Sequence, residues 1–165
     1  MERYVDFWQV TEAALRFAVR RLSIDTTNSQ LERLMGAYLN PAAFDEARSA
    51  LEALKGSPLA ILSNGSPRML DSAVRNNGLE SYFAEIISVD KVKTYKPSPR
   101  IYALLNLTAA EILFVSYNLW DAAGAKAFGY PVCWCNRSGA EIEHWVFAPD
   151  FTVRQLDRVA ETLPG

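Results

Sequence analysis

The sequence predicts an α/β protein: a parallel sheet with helices on both faces, preceded by a first third that is all helical. Three observations carry this. Four short apolar runs, LAIL (59–62), EIISV (85–89), EILFVS (111–116) and PVCWC (131–135), have the length and composition of buried strands. Segments with helical spacing separate them, and strands alternating with helices argue a parallel, doubly wound sheet. Before Leu59 the apolar residues recur at helical spacing instead.

The elements follow in order. Val5, Trp8, Ala14, Leu15, Ala18, Val19 and Leu22 mark a first helix within residues 4–22. Thr26, Thr27 and Asn28 supply cap chemistry for a second, QLERLMGAYL, which Asn40-Pro41 breaks. A third, FDEARSALEALK, is ended by Gly56 and Pro58. After the LAIL strand, SPRMLDSAVRNNG is a helix with Pro67 in its first turn and Gly78 at its end. The EIISV strand leads to a proline-rich turn and a short helix, KPSPRIYALLNL. Then come the strand EILFVS, the helix LWDAAGAKAFG and the strand PVCWC. A short strand at Phe151–Val153 and a closing helix, RQLDRVAETL, complete the chain.

Composition narrows the function. A chain of 165 residues is one domain, or a domain with a small appendage, and with half its residues hydrophobic it can build a core. Net charge is -2 with the charges scattered, so there is no basic stripe for nucleic acid and no patch for a membrane surface. No apolar stretch approaches a membrane span and MERYVDFW is not a signal peptide, so a cytoplasmic protein is expected. Cys133 and Cys135 share one strand face, a poor geometry for a disulfide, and read as buried thiols. With one histidine and no CxxC, a zinc site is not expected. His144 lies outside every motif and reads as a surface or packing residue; Arg137 reads as a surface or interface residue.

In open parallel sheets, ligands sit beyond the carboxyl ends of the strands. LAIL is followed there by Ser63-Asn64-Gly65-Ser66, and ILFV by Ser116, Asn118, Trp120 and Asp121. Between them in the chain lies Tyr95-Lys96-Pro97. A single serine at a strand end can simply cap the next helix, as Ser66 would, and a single lysine is usually solvated. The order is what informs: strand-Ser-Asn-Gly, then Lys-Pro, then strand-Ser-x-Asn-x-x-Asp.

That order resembles the haloacid dehalogenase superfamily. Ser63 matches its second motif, Lys96-Pro97 its third and Asp121 its fourth. Within the superfamily the wording is most similar to the type II (S)-2-haloacid dehalogenases, across essentially the whole chain. LAILSNGSP, VDKVKTYKPSPRIY, LFVSYNLWDAAGAKAFGYPVCWCNRSG and MERYVDFWQVTEAALRF carry the similarity. The superfamily's phosphatases place a second acidic residue in the fourth motif to hold Mg²⁺. Here Ser116, Tyr117 and Asn118 stand beside Asp121, a neutral turn that suits a hard cation poorly.

The resemblance implies a Rossmannoid sheet of the haloacid dehalogenase type, with residues 1–45 part of a helical cap and 46–165 the core. It implies a cofactor-free hydrolase without a metal, acting on a small 2-haloacid and releasing halide, and a homodimer. An aspartate attacks C2 with inversion, and water hydrolyses the resulting ester to the (R)-2-hydroxy acid. Lys96 would neutralise the nucleophile and Asp121 would position Lys96 or the water. Ser63 and Asn64 would hold the nucleophile and the substrate carboxylate, while Ser116 and Asn118 would order that network and the halide. Phe7 and Trp120 would wall the alkyl group. Tyr102 corresponds to a site tyrosine, though a core-packing role fits it as well. The family's nucleophile stands in a strand reading D-x-x-G-T, and no aspartate here is followed by that pattern. The resemblance therefore implies a chain lacking the first core strand, folding poorly or in partnership, and inactive as it stands. Two alternatives stay open: a catalytically dead fragment or binding remnant, and a superfamily phosphatase. The helix after Lys96 is also shorter than the family's by about one turn of 3.6 residues.

Overall fold

The computed structural model describes residues 4–142 and 147–163, so His144 lies outside the described residues. The chain divides into two compact units. One comprises Met1–Ala43 and Ala60–Thr94, the other Phe44–Leu59 and Tyr95–Gly165.

The first unit begins with helix α1, Phe7–Arg21, whose N-cap Asp6 accepts a bond from the Gln9 amide. Thr27 caps α2, Asn28–Ala37, in a reciprocal box with Gln30, so two otherwise orphaned amides are bonded. Strand β1, Leu59–Ser63, pairs with β2, Phe83–Ser88. Helix α4, Pro67–Asn76, connects them, with proline in its first turn as expected. Ser66 occupies its N-cap position, yet its side chain makes no capping bond. The Arg68 guanidinium lies 5.3 Å over the Trp8 ring and ties α4 to α1. Asn76 donates to the Leu39 carbonyl at 3.0 Å. Asn77 donates to the Pro41 carbonyl at 2.9 Å and accepts from the Ala43 amide at 2.9 Å. The RNNG stretch therefore does more than end a helix; it fastens the loop after α2.

The second unit contains α3, Ala47–Ala53, and α5, Pro99–Tyr102. Strand β3, Phe114–Ser116, is followed by α6, Leu119–Phe128, and then by β4, Val132–Cys135, and β5, Phe151–Val153. The three strands are parallel in the order β3-β4-β5, with Phe114 opposite Val132 and Cys133 opposite Phe151. All four β4 residues are buried, as a central strand covered on both faces requires. Cys133 and Cys135 are free, buried thiols, as their spacing implies. Burial, with Cys135 nearby, pushes the Cys133 thiol up to about 11, so it stays protonated at neutral pH. Arg137 is neither purely surface nor free: it pairs with Glu46 and its guanidinium lies 3.9 Å over the Phe44 ring.

Three elements differ from expectation. The third strand starts at Phe114 rather than Glu111, because Thr108 and Glu111 form a capping box that winds Ala109–Glu111 into a 3-10 turn. The helix after Lys96 is a single α-turn that tightens into a 3-10 turn and stops at Asn106, whose φ of 49° is left-handed. The closing helix is a 3-10 helix, Leu156–Thr162. Its three-residue repeat stacks Leu156, Val159 and Thr162 on one side, and Val159 is the buried member. Among the described residues the strands form two separate sheets. No described helix is long and apolar enough to cross a membrane.

Ile101 is fully buried, so Ile101→Ala is expected to cost about 2–5 kcal/mol. Thr27→Ala, which removes only the α2 cap, is expected to cost about 1 kcal/mol. Urea unfolding checks both, as a lowered midpoint at constant slope.

Candidate active site

Asp121 is the centre of the second unit's polar cluster. Strand β3 ends at Ser116, Tyr117 and Asn118 make the turn, and α6 begins, so Asp121 falls in the helix's first turn. A carboxylate there is favoured by the unsatisfied amides of the helix start. The Asp121 and Ala122 amides both donate to the Asn118 carbonyl at 3.0 Å. The Trp134 indole donates to the Tyr117 carbonyl at 2.9 Å and pins the turn from β4.

Both carboxylate oxygens are engaged. Oδ2 takes the Lys96 ammonium at 2.9 Å and the Ser116 hydroxyl at 3.0 Å. Oδ1 takes the Tyr102 hydroxyl at 2.9 Å. The Lys96 and Asp121 side chains are each 7% exposed. Burying two charges costs several kcal/mol apiece, and the added hydroxyl donors are what such a pair needs to offset it. Lys96 also lies 4.9 Å from the Phe114 ring centroid, a face that favours a cation.

Tyr102 packs in the core and bonds the acid of the cluster. It is fully buried in a cluster with Phe114, Phe128 and Tyr130, and its hydroxyl serves the carboxylate. Tyr130 donates to the Tyr102 carbonyl at 2.6 Å. Burial, reinforced by the Asp121 charge, pushes the Tyr102 phenol far above its ordinary value, so it remains a donor. Burial pulls the Lys96 ammonium below its usual range, and the Asp121 charge and hydrogen bond pull the other way.

The structure thus brings Lys96, Tyr102, Ser116 and Asp121 into direct contact. Asn118 joins through its backbone, its amide donating to the Ser116 hydroxyl at 3.2 Å, and its side chain is exposed. Trp120 stands next on α6, 45% exposed. Ser63, Asn64 and Phe7 belong to the first unit. There the Ser63 hydroxyl accepts from the Gly65 amide at 3.1 Å, folding the Ser-Asn-Gly turn back on the strand end. Phe7, half-buried, opens α1. Ser88 was not anticipated: its hydroxyl donates to the Gly65 carbonyl at 2.7 Å and anchors that turn from β2. The signal for it is a serine ending EIIS as serines end LAILS and LFVS. Tyr130 and Trp134 were also missed, since nothing in the sequence marks which aromatics hold a site backbone. Among the described residues no group of three or more His, Cys, Asp or Glu could hold a metal ion.

Comparison with known proteins places this arrangement in a family. Residues 3–129 match the family model described as haloacid dehalogenase-like hydrolase. The chain belongs to the haloacid dehalogenase-like hydrolases, and by family it is a hydrolase. It is 47% identical over 167 residues to the (S)-2-haloacid dehalogenase of Pseudomonas sp. strain YL, covering 98% of this chain and 72% of that protein. The haloacetate dehalogenase H-2 of Moraxella sp. strain B is 41% identical, with 99% and 75% covered. A crystal structure of an L-2-haloacid dehalogenase superposes with a TM-score of 0.94 at 40% identity, covering 98% of this chain and 74% of that one. The L-2-haloacid dehalogenase of Xanthobacter autotrophicus, solved with chloropropionic acid covalently bound, gives 0.88 at 35% identity over 96% and 76%. The predicted α/β class and family resemblance therefore hold.

Asp121→Asn removes the charge facing a buried ammonium and is expected to cost about 3–5 kcal/mol; Lys96→Met with Asp121→Leu is expected to cost less than that single change. Denaturant unfolding decides. Because Lys96 is pulled below its ordinary 10.5, there is a pH window in which the unfolded chain binds a proton the folded chain does not. Through that window the Lys96 contribution to stability rises with pH, whereas the raised Cys133 and Tyr102 lower the total above about pH 9, so the readout is the difference between the wild-type and Lys96→Met pH profiles, which is expected to grow with pH.

Proposed function

We propose that this chain carries most of the site of a hydrolase that converts small (S)-2-haloalkanoic acids to (R)-2-hydroxy acids. The observation that carries the reading is the buried Lys96–Asp121 pair, saturated by Tyr102 and Ser116 in a turn with no second acid. The names of the relatives support the substrate class.

The reaction divides into two displacements. An aspartate oxygen attacks C2 from the side opposite the halogen; the new C–O bond forms as the carbon–halogen bond breaks, and halide leaves with the bonding pair. Water then attacks the ester's acyl carbon; the acyl carbon–oxygen bond breaks, one water proton goes to the departing alkoxide and the other to solvent, and the hydroxy acid and the aspartate carboxylate are freed. Lys96 faces the nucleophile with its positive charge, and Asp121 positions Lys96 or the hydrolytic water. Ser116 and Asn118 order the network and the departing halide, and Trp120 walls the alkyl group; Ser63, Asn64 and Phe7 keep the roles the resemblance implies for them. Asp121 itself is a poor nucleophile, because both its oxygens are occupied and it is buried.

The attacking aspartate is not identified within these residues, since none is followed by x-x-Gly-Thr. In this reading a segment bearing it completes the site. Strand β3, which ends the order β3-β4-β5 while keeping Phe114 and Ser116 buried, supports a further strand beside it. Residues 1–45 form part of a cap and 46–165 the core. A cytoplasmic homodimer belongs to the same reading.

Halide release from (S)-2-chloropropionate tests it. The 165-residue chain alone is expected to release none. The chain fused to the N-terminal segment of the Pseudomonas enzyme is expected to turn over the (S) but not the (R) isomer. In that fusion Lys96→Met is expected to lower the rate by about 100-fold or more. Turnover by the 165-residue chain would place the nucleophile inside it, and Mg²⁺-dependent cleavage of a phosphomonoester would favour the phosphatase alternative.

A further inference from the structure

Helix α6 reads LWDAAGAKAF. Four of its ten residues are alanine, the best helix former, and one is glycine, among the worst. The glycine stands three residues after Asp121, on the same helix face. A Cβ built on Gly124 would lie 2.6 Å from the Pro97 Cβ and 2.6 Å from the Tyr102 hydroxyl, with the Tyr102 Cζ at 3.4 Å. Real Cβ atoms essentially never come so close to another heavy atom. Neither obstacle is a loose side-chain end. Pro97 is a ring beside Lys96. Tyr102 is fully buried, walled by Phe114, Phe128 and Tyr130, with its carbonyl bonded to the Tyr130 hydroxyl.

We propose that Gly124 is a positioning residue of the active site: its missing side chain is the space in which the Lys96-Pro97 turn and the Tyr102 hydroxyl converge on Asp121. Alanine at 124 would suit the helix better, so the glycine serves the approach and not the helix. The atoms that Cβ would meet belong to Pro97, next to the lysine that pairs with Asp121, and to the Tyr102 hydroxyl that bonds Asp121 directly, so a methyl group there presses on both sides of the cluster. The use of the cluster in dehalogenation rests on the function proposed above. The geometry does not, and the test reads no turnover.

The experiment is acetic anhydride labelling of the 165-residue chain, with each lysine followed by peptide mass spectrometry. Lys55, with 74% of its side chain exposed, is the internal reference. Gly124→Ala is expected to speed Lys96 labelling relative to Lys55 by about tenfold, the equivalent of one pKa unit, and to lower the unfolding midpoint. Ala127→Gly, an exposed site on the same helix, is expected to lower the midpoint without changing Lys96 labelling. Adding Tyr102→Phe to Gly124→Ala removes one obstacle and is expected to recover part of the lost midpoint. Unchanged Lys96 labelling in folded Gly124→Ala, or a raised midpoint, would overturn the proposal. If Gly124→Ala alone does not fold, folding of the double variant supports the proposal and its failure to fold overturns it.

Discussion

A charge pair taken out of water sets the terms for everything around it. Lys96 and Asp121 are both almost fully buried. Their attraction alone does not repay the loss of hydration, so the surrounding groups must complete the carboxylate's hydrogen bonding. Ser116 does this from the strand end and Tyr102 from α5. The helix start contributes its dipole. An aromatic cluster packs around the Tyr102 ring, and Tyr130 holds its backbone. The core of this unit is thus arranged around one acid, and its packing and its chemistry are the same set of contacts.

The sheet supplies the other constraint. Parallel strands deliver their carboxyl ends to one side, where the following loops are free to vary. β3 is only three residues long, so Ser116 sits close to the strand's last sheet partner, Trp134. The indole of Trp134 in turn bonds the Tyr117 carbonyl. The turn that carries Ser116, Asn118 and Asp121 is therefore held from the sheet, from α6 and from the Lys96 side at once. In the first unit the Ser63 turn is held similarly, by its own hydroxyl and by Ser88.

Much of this could be read from the residues. Strand and helix order followed from periodicity, because a buried strand and an amphipathic helix leave different spacings. The cluster members Lys96, Ser116 and Asp121 were legible through motif order. Short-range backbone competition was less so. Thr108 with Glu111 winds a turn where apolar residues alone suggest strand, and the last helix tightens to three residues per turn. Ser88 and Tyr130 escaped notice because each acts on a backbone carbonyl distant in sequence. Gly124 carried a signal, a lone glycine among alanines, but what it makes room for is a three-dimensional fact.

The neutral character of the Asp121 turn separates the candidate chemistries. A divalent cation at Asp121 would compete for oxygens already bonded to an ammonium and two hydroxyls. It would also bring a second positive charge against Lys96, which is too buried for water to screen the two. No second carboxylate stands beside Asp121 in the turn to compensate, since its neighbours are Ser116, Tyr117 and Asn118. The Lys96 ammonium already neutralises the Asp121 carboxylate, and it does so without demanding octahedral oxygen ligands.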